Sequence, residues 1–484
     1  MAIFGWKLHG DGKTIAPGDA VAPSERLTWP RTIGLGFQHV FAMFGATFVF
    51  PVIMGLNPQL AVMMSGFGTI IFLLIVSGKV PSYVGTSAAF VGGTATVTAQ
   101  GGSPAQVTGA ILVSGAVLTL VGAFIHWIGA SALTRVLPAV VTGGVVMLIG
   151  FNLAPVVANT YWPQDQWVAL LVMAFIILFS VCIKGFIGRV AVFLGLIFGY
   201  LLSWLFDTVF GKITSFDAGA GEVTEHFRID WSGVQSAPWI GLPPVSDEAA
   251  GVVGLHLPEF NAAAIVVMLP AIIALVAENV GHVKAVEEMT GEKLDKYTGR
   301  AVMGDGVATM VATGVGGSPT TTYAENIGVM AATKVYSTAA YWVAAIVAIV
   351  FGLSPKFGAL IASVPGGVLG GITVVLYGMI GMLGAKIWIE NKVDFSSPLN
   401  MVPVAAGIII AIGDVSLKFS ESFTLSGIAL GTLVMLVMYH VARWLAPKDI
   451  REAAESDVGG TAISVGSKGL EERVSEELRQ DRKH

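Results

Sequence analysis

The sequence predicts an all-α membrane protein that crosses the bilayer fourteen times, as two inverted halves of seven segments each. Three observations lead there. Of 484 residues, 54% are hydrophobic and only 12% charged, whereas a soluble chain carries about 25% charged residues. The apolar residues gather in runs of about 20, the length that crosses a hydrocarbon core of about 30 Å. Two stretches rich in Gly, Ser, Thr and Pro stand at matching places in the two halves.

The apolar runs fall near 32–54, 59–78, 104–126, 136–156, 166–183, 188–210, 261–281, 300–316, 337–354, 358–383, 400–414 and 424–446. The stretches at 82–100 and 318–333 are apolar enough to be buried but too rich in Gly, Ser, Thr and Pro for ordinary helices, and they complete the fourteen. Lys and Arg test the count, because orientation follows their asymmetry between short loops. With the N-terminus inside, eleven of them between Lys79 and Lys392, Arg135 included, face the cytoplasm, against Lys212, Arg228, Lys356 and Lys418 outside. Omitting either odd stretch inverts every later loop and spoils that asymmetry.

The remaining features bound the function. A net charge of −5 excludes the strongly basic footprint of a nucleic-acid-binding protein. Cys182, the single cysteine, lies in an apolar run and reads as a packing residue, with no disulfide and no cysteine-rich metal site. No HExxH, GxSxG or phosphate-loop motif occupies a site position, so an enzyme is not expected. Residues 1–30 carry Lys7, Lys13 and Arg26 without an apolar core, and read as a cytoplasmic segment, not a cleavable signal peptide. Residues 31–446 are the expected transmembrane domain and 447–484 a cytoplasmic tail, whose 468–483 portion suits a solvated helix. The long outward loop at 211–259 reads as a structured cover.

The stretches VPSYVGTSAAFVGG (80–93) and GGSPTTTYAENIGV (316–329) place Ala88 and Ala324 236 positions apart, and Ala46 and Glu278 are 232 apart, so an offset of about 235 relates both pairs to within a few residues. Seven is an odd number of crossings, so the second copy is inverted. Paired Gly/Pro-interrupted segments in inverted halves point to a transporter's binding site, because extended backbone at membrane depth is tolerated only beside a protected cavity. The alternative is close helix packing through small residues.

Charges at membrane depth cost at least a few kcal/mol each and are functional candidates by default. Glu278 and His282 in ALVAENVGHVKAV share one helix face, unless they form a helix-end pair that fixes a loop. Glu325 follows the extended TTTY run at a helix N-terminus, whose N–H groups favour a carboxylate; a simple helix cap is the alternative. His39 reads as a packing histidine or a site support, and Asp305 as site support or scaffold. Two carboxylates and exposed backbone amides near Ala88 and Ala324 suit an uncharged pyrimidine such as uracil, with its two N–H donors and two carbonyl acceptors. A neutral ligand leaves the carboxylates free to bind protons, so substrate and proton occupancy can be linked, with His282 as a relay.

The run Glu325-Asn326-Ile327-Gly328, continuing to Thr333-Lys334, resembles the signature of the nucleobase-ascorbate transporters, also called nucleobase:cation symporter family 2. The resemblance extends from about Glu25 to Pro447 and takes in Gln38-His39, GKVPSYVGTSAAF at 78–90 and AENVGH at 277–282. Within the family the chain looks most like the bacterial uracil and pyrimidine permeases. The resemblance implies a core domain at 31–130 and 261–355, a gate domain at 131–210 and 356–446, and segments 3 and 10 that are part strand and part half-helix. It implies that Glu278 and Glu325 hold the base, that Ala88 and Ala324 donate from the backbone, and that Ala46 and Tyr323 lie against the ring. Glu278 and His282 would couple protons, with His39, Asp305 and Asn326 in support. It further implies proton-coupled uptake of uracil or a related pyrimidine across the bacterial inner membrane by an elevator-type mechanism. The proton is the only coupling ion expected, with no cofactor, metal or nucleic-acid partner, and with homodimerisation through the gate domains.

Two positions depart from the uracil permeases, which carry Phe where this chain has Ala88 and Gly where it has Ala324. A wider pocket would admit thymine or a purine such as xanthine, but Glu325 opposes a purine preference, since the purine branch more often carries Gln there. A sulfate-permease-type anion transporter is a further alternative, opposed by the two acidic site residues.

Overall fold

Prolines and polar caps start most of the long helices, at positions whose N–H groups lack an intrahelical partner in any case. The structure is a computed structural model describing residues 5–16, 18–129, 137–217, 222–247, 249, 251–418, 424–448 and 450–451. Arg135 and nearly all of the expected 447–484 tail lie outside the described residues. A parallel pair, β1 (Lys7–Leu8) with β2 (Glu25–Arg26), precedes α1 (Trp29–Ile53). α2 (Pro58–Ile75) is capped by Asn57, which accepts from Leu60 N, and α4 (Pro104–Ile128) by Ser103, which accepts from Gln106 N. Between them, β3 (Val84–Thr86) runs through a 3-10 turn at Ala88–Phe90 into α3 (Val91–Ala99). Then come α5 (Ala139–Phe151), α6 (Gln166–Cys182) and α7 (Ala191–Phe210).

The segment after α7 holds the hairpin β4 (Ile213–Asp217) and β5 (Glu222–His226). Arg228 ties it to the helices: its Nε donates to Asp165 Oδ2 at 2.7 Å and its terminal nitrogen to Asp207 Oδ1 at 3.1 Å. The second half comprises α8 (Ala262–Met268), α9 (Ala271–Thr290), α10 (Asp295–Thr313), β6 (Thr320–Thr322), α11 (Ala324–Thr333), α12 (Thr338–Gly352), α13 (Pro355–Ala362), α14 (Gly366–Glu390) and α15 (Pro398–Ile412). The hairpin β7 (Ser416–Lys418) and β8 (Thr424–Ser426) leads to α16 (Gly427–Leu445).

Among the described residues, eight helices are long and apolar enough to cross a membrane, or nine with the α12–α13 pair, which is bent by 83°. Each of the fourteen expected intervals holds an element, but the others fall short for physical reasons. α3 and α11 are half-length, α6 and α15 have 17 and 15 residues, and α10 carries charged residues in its first two turns. The expected 358–383 span is divided: the chain turns at 363–365, and α14 runs on to Glu390. Cys182 is exposed at the end of α6, not packed.

α10 packs along α4 and α2, and α12 along α1 and α2, while α14 packs on α5 and α6, and α15 on α16. Glycine allows the α4–α10 backbones to touch. A Cβ at Gly122 would lie 2.5 Å from Met303 N, and one at Gly299 would press on His126 N, the close approach that small residues permit between membrane helices. β3 and β6 meet at the centre as an antiparallel pair, with Val84, Gly85 and Thr86 opposite Thr322, Thr321 and Thr320. Ser87 N to Pro319 O at 2.9 Å and Tyr323 N to Tyr83 O at 3.0 Å extend it.

Candidate functional site

The β3–β6 pair places two helix N-termini near the centre of the chain's packing, that of the turn beginning at Ala88 and that of α11 beginning at Ala324. First-turn N–H groups have no partner within their own helix; Ala89 N donates to the Ser87 hydroxyl at 3.2 Å, which leaves the N–H groups at Ala88 and Ala324 as the candidate donors. Ala324 and Glu325 are exposed although Tyr323 and Asn326, their immediate neighbours, are 3% and 0% exposed. The start of α11 therefore faces an opening, and Ala88 is half-buried.

α9 brings its polar face to the same place. A break at 269–270 separates it from α8, so Glu278 and His282 lie well inside α9 and not at a helix end. Glu278 is half-buried, and its Oε2 accepts from Thr321 Oγ1 at 3.3 Å. α9, which carries Glu278, packs on α10 and α11, which carry Asp305 and Glu325. The three carboxyl groups, contributed by α9, α10 and α11, thus form one acidic cluster beside the two N-termini.

A polar chain supports this face from behind. Asp305 Oδ2 accepts from Asn279 Nδ2 at 2.6 Å and from Thr322 N at 3.1 Å, which joins α10 to α9 and β6. His282 Nδ1 lies 2.7 Å from Thr322 Oγ1, and that hydroxyl donates to Asn279 Oδ1 at 3.5 Å. Asp305 is wholly buried, with Oδ1 lacking a partner among the described residues.

His39 and Asn326 form a second link. Asn326 Nδ2 donates to His39 O at 2.9 Å and lies 3.2 Å from His39 Nδ1, which therefore accepts. The imidazole is packed on Tyr341 with ring centroids 4.3 Å apart. This pair locks α1 to α11 and is not open to the cluster. Tyr323 is buried, with its hydroxyl engaged by Thr86 and Thr47, and Ala46 on α1 is 8% exposed.

Glu278, Glu325, Asp305, Ala88 and Ala324 are thus gathered from distant sequence positions, with His282 one turn along α9. Sequence reasoning missed Thr321, Thr47 and Asn279. The signal for the first was the TTTY run itself: alternation along an extended strand turns Thr321 away from its neighbours.

A family model described as a permease family matches residues 30–419. The putative pyrimidine permease RutG of Escherichia coli (strain K12) is 42% identical over 448 residues, covering 90% of this chain and 95% of that protein. The uracil permease of Bacillus subtilis (strain 168) is 32% identical over 425 residues, covering 84% and 91%. Among solved structures, the transmembrane domain of the cyanobacterial bicarbonate transporter BicA matches with a TM-score of 0.51 at 15% identity, covering 84% of this chain and 96% of that one. SLC26A9 matches with a TM-score of 0.56 at 10% identity, covering 85% and 64%. At those identities the two structures establish a shared fold and nothing of the cargo. The long match, the apolar helices and the signature that opens at Glu325 lead to one conclusion: the chain is a multi-pass membrane protein, a transporter and not an enzyme, and it belongs to the permease family that includes the bacterial uracil and pyrimidine permeases, the nucleobase:cation symporter-2 family.

Proposed function

We propose that the chain carries uracil, or a closely related pyrimidine base, across the bacterial inner membrane into the cell together with protons. The observation that carries this reading is the packing of the Glu278 helix against the turn at Ala88 and against the start of α11, where Glu325 stands. Carboxylates accept from the two ring N–H groups of a pyrimidine, and backbone N–H groups at Ala88 and Ala324 donate to its carbonyl oxygens. The names of the relatives point to the same cargo. Glu278 and His282 serve proton coupling: a base that occupies the carboxylates changes their affinity for protons, and the linkage is reciprocal.

In this reading the fourteen segments form a core (31–130 and 261–355) that travels against a gate (131–210 and 356–446), an alternating-access movement of the elevator type. Both termini face the cytoplasm, and the gate domains pair in a homodimer. A purine such as xanthine is the second reading, favoured by the small side chain of half-buried Ala88.

The test is uptake of labelled uracil by cells expressing the chain. Uptake is expected to be faster at acidic than at alkaline external pH and to stop when the proton gradient is collapsed, with thymine and xanthine as competitors that report pocket width. Uptake that continues unchanged without the gradient overturns proton coupling, and absence of uptake of any of the three bases overturns the cargo.

A further inference from the structure

The hydroxyl of Tyr323 is the meeting point of three chain segments. Its hydrogen is committed, because Tyr323 Oη donates to the carbonyl oxygen of Thr86 at 2.7 Å. The Thr47 hydroxyl lies 3.0 Å from the same oxygen. With the phenolic hydrogen directed at Thr86, Thr47 Oγ1 is the donor and Tyr323 the acceptor. Thr47 is 0% exposed, so its hydroxyl has no water with which to exchange this bond. The ring also crosses Gly85 so closely that a Cβ there would lie 2.6 Å from both Tyr323 Cζ and Thr47 Oγ1.

Each of the three segments carries a site position one or two residues away. Thr47 follows Ala46 on α1, Thr86 stands two residues before Ala88, and Tyr323 is the N-cap of α11, directly before Ala324. The β3–β6 ladder sets how the two helix N-termini face each other. The His39–Asn326 link ties α1 to α11 about two turns before Thr47. The Thr47–Tyr323 bond joins α1 to that crossing, beside Ala46.

We propose that Thr47 is a positioning residue for base binding: acting through the Tyr323 hydroxyl, it holds the Ala46 wall of α1 at a fixed distance from the two half-helix N-termini. That distance sets the affinity for a base and the discrimination between one ring and two. The inference rests on the nucleobase reading above. Nothing in it requires Thr47 to touch the substrate, since a wall displaced by a few tenths of an ångström suffices to lengthen hydrogen bonds that depend on reach and direction.

Calorimetric binding of uracil and xanthine to the purified full-length protein tests this, with melting temperature as the control for folding. Thr47→Val keeps the shape and removes the donor, and it is expected to raise the uracil Kd about five- to tenfold, near the worth of one hydrogen bond. Its preference for uracil over xanthine is expected to narrow. Thr47→Ser keeps the donor and is expected to stay within about twofold of wild type. The double variant Thr47→Val/Tyr323→Phe is expected to bind no worse than Tyr323→Phe alone, because both changes break one link. A purely packing role gives the opposite order, with Thr47→Val like wild type and Thr47→Ser weakened. That order, or additive losses in the double variant, overturns the proposal. If Thr47→Val does not fold, Thr47→Ala takes its place, and equal binding by Thr47→Ala and Thr47→Ser overturns the proposal. Wild-type protein that binds neither base sinks the nucleobase reading and this inference together, whereas wild-type binding that Thr47→Val retains sinks this inference alone.

Discussion

Gly85 lies directly opposite Thr321 in the antiparallel β3–β6 pair, and the two are 236 positions apart, the same separation as Ala88 and Ala324. The middle residue of each strand therefore faces its own counterpart, and Val84 and Thr86 each face the other's. A two-fold relation between the halves passes through this pair, and it brings the helix N-termini at Ala88 and Ala324 to equivalent places on either side. The acidic cluster does not obey the symmetry. At the separation of 236, Glu278 corresponds to Ala42 and Glu325 to Ala89, so the carboxyl groups stand in one half and small side chains at the matching places of the other.

Gly85→Ala is expected to disrupt this centre. The added methyl would meet the Tyr323 ring and Thr47 Oγ1 at 2.6 Å, inside a crossing that has no slack. Overpacking of this kind costs about 1–3 kcal/mol, read as a lowered melting temperature together with loss of base binding. An unchanged melting curve with normal affinity would show that the crossing is looser than its geometry.

Glu278→Ala and Glu325→Ala are each expected to weaken uracil binding by at least about tenfold, and to beyond detection if the lost bond is the stronger charge-assisted kind. Glu325→Gln exchanges an acceptor-only group for one that also donates, and is expected to shift preference toward xanthine. Calorimetric titration of each base against each variant measures both effects. Wild-type uracil affinity in the two alanine variants would refute the site.

Asp305→Ala strands two donors, Asn279 Nδ2 and Thr322 N, that now converge on Asp305 Oδ2. Unsatisfied buried groups cost about 1–3 kcal/mol each, so a marked drop in melting temperature is expected. Asp305→Asn keeps an acceptor oxygen and is expected to lose less. Equal melting temperatures for the two variants would remove Asp305 from its role in joining α9, α10 and β6.

Arg228→Gln leaves Asp165 and Asp207, 5% and 11% exposed at their side chains, without their shared cation. Breaking a buried pair from one side costs about 3–5 kcal/mol. The segment after α7 is expected to become sensitive to protease as the melting temperature falls, because Asp207 also accepts from Arg228 N and Ile229 N. Adding Asp207→Asn is expected to restore part of the loss. A fully stable single variant would mean that the hairpin segment is held by its backbone bonds alone.

The membrane class, the paired broken segments and the candidacy of Glu278 and Glu325 were legible in the residues. Hydrocarbon thickness dictates run length, bilayer depth makes charges rare, and extended backbone in an apolar medium needs a reason. His39 and Asp305 were left between two readings, because a lone polar residue in an apolar run is the same letter whether it faces a cavity or a neighbouring helix. The folded chain separates them by partner. His39 is spent on Asn326 and Tyr341, and Asp305 on Asn279 and Thr322. The turn at 363–365 was hidden inside the expected 358–383 run, whereas the bend between α12 and α13 stands where the runs at 337–354 and 358–383 part, at Ser354-Pro355-Lys356.

The sequence by itself determined what kind of medium this protein lives in, where its two interrupted segments stand and which acidic side chains must be explained, because each of these follows from local composition and spacing. Only the tertiary structure decided that Thr47, Thr86 and Tyr323 share one hydroxyl, and that carboxyl groups from α9, α10 and α11 gather beside two helix N-termini. Those relations join positions up to hundreds of residues apart, and close packing, which no local pattern encodes, selects which of them touch.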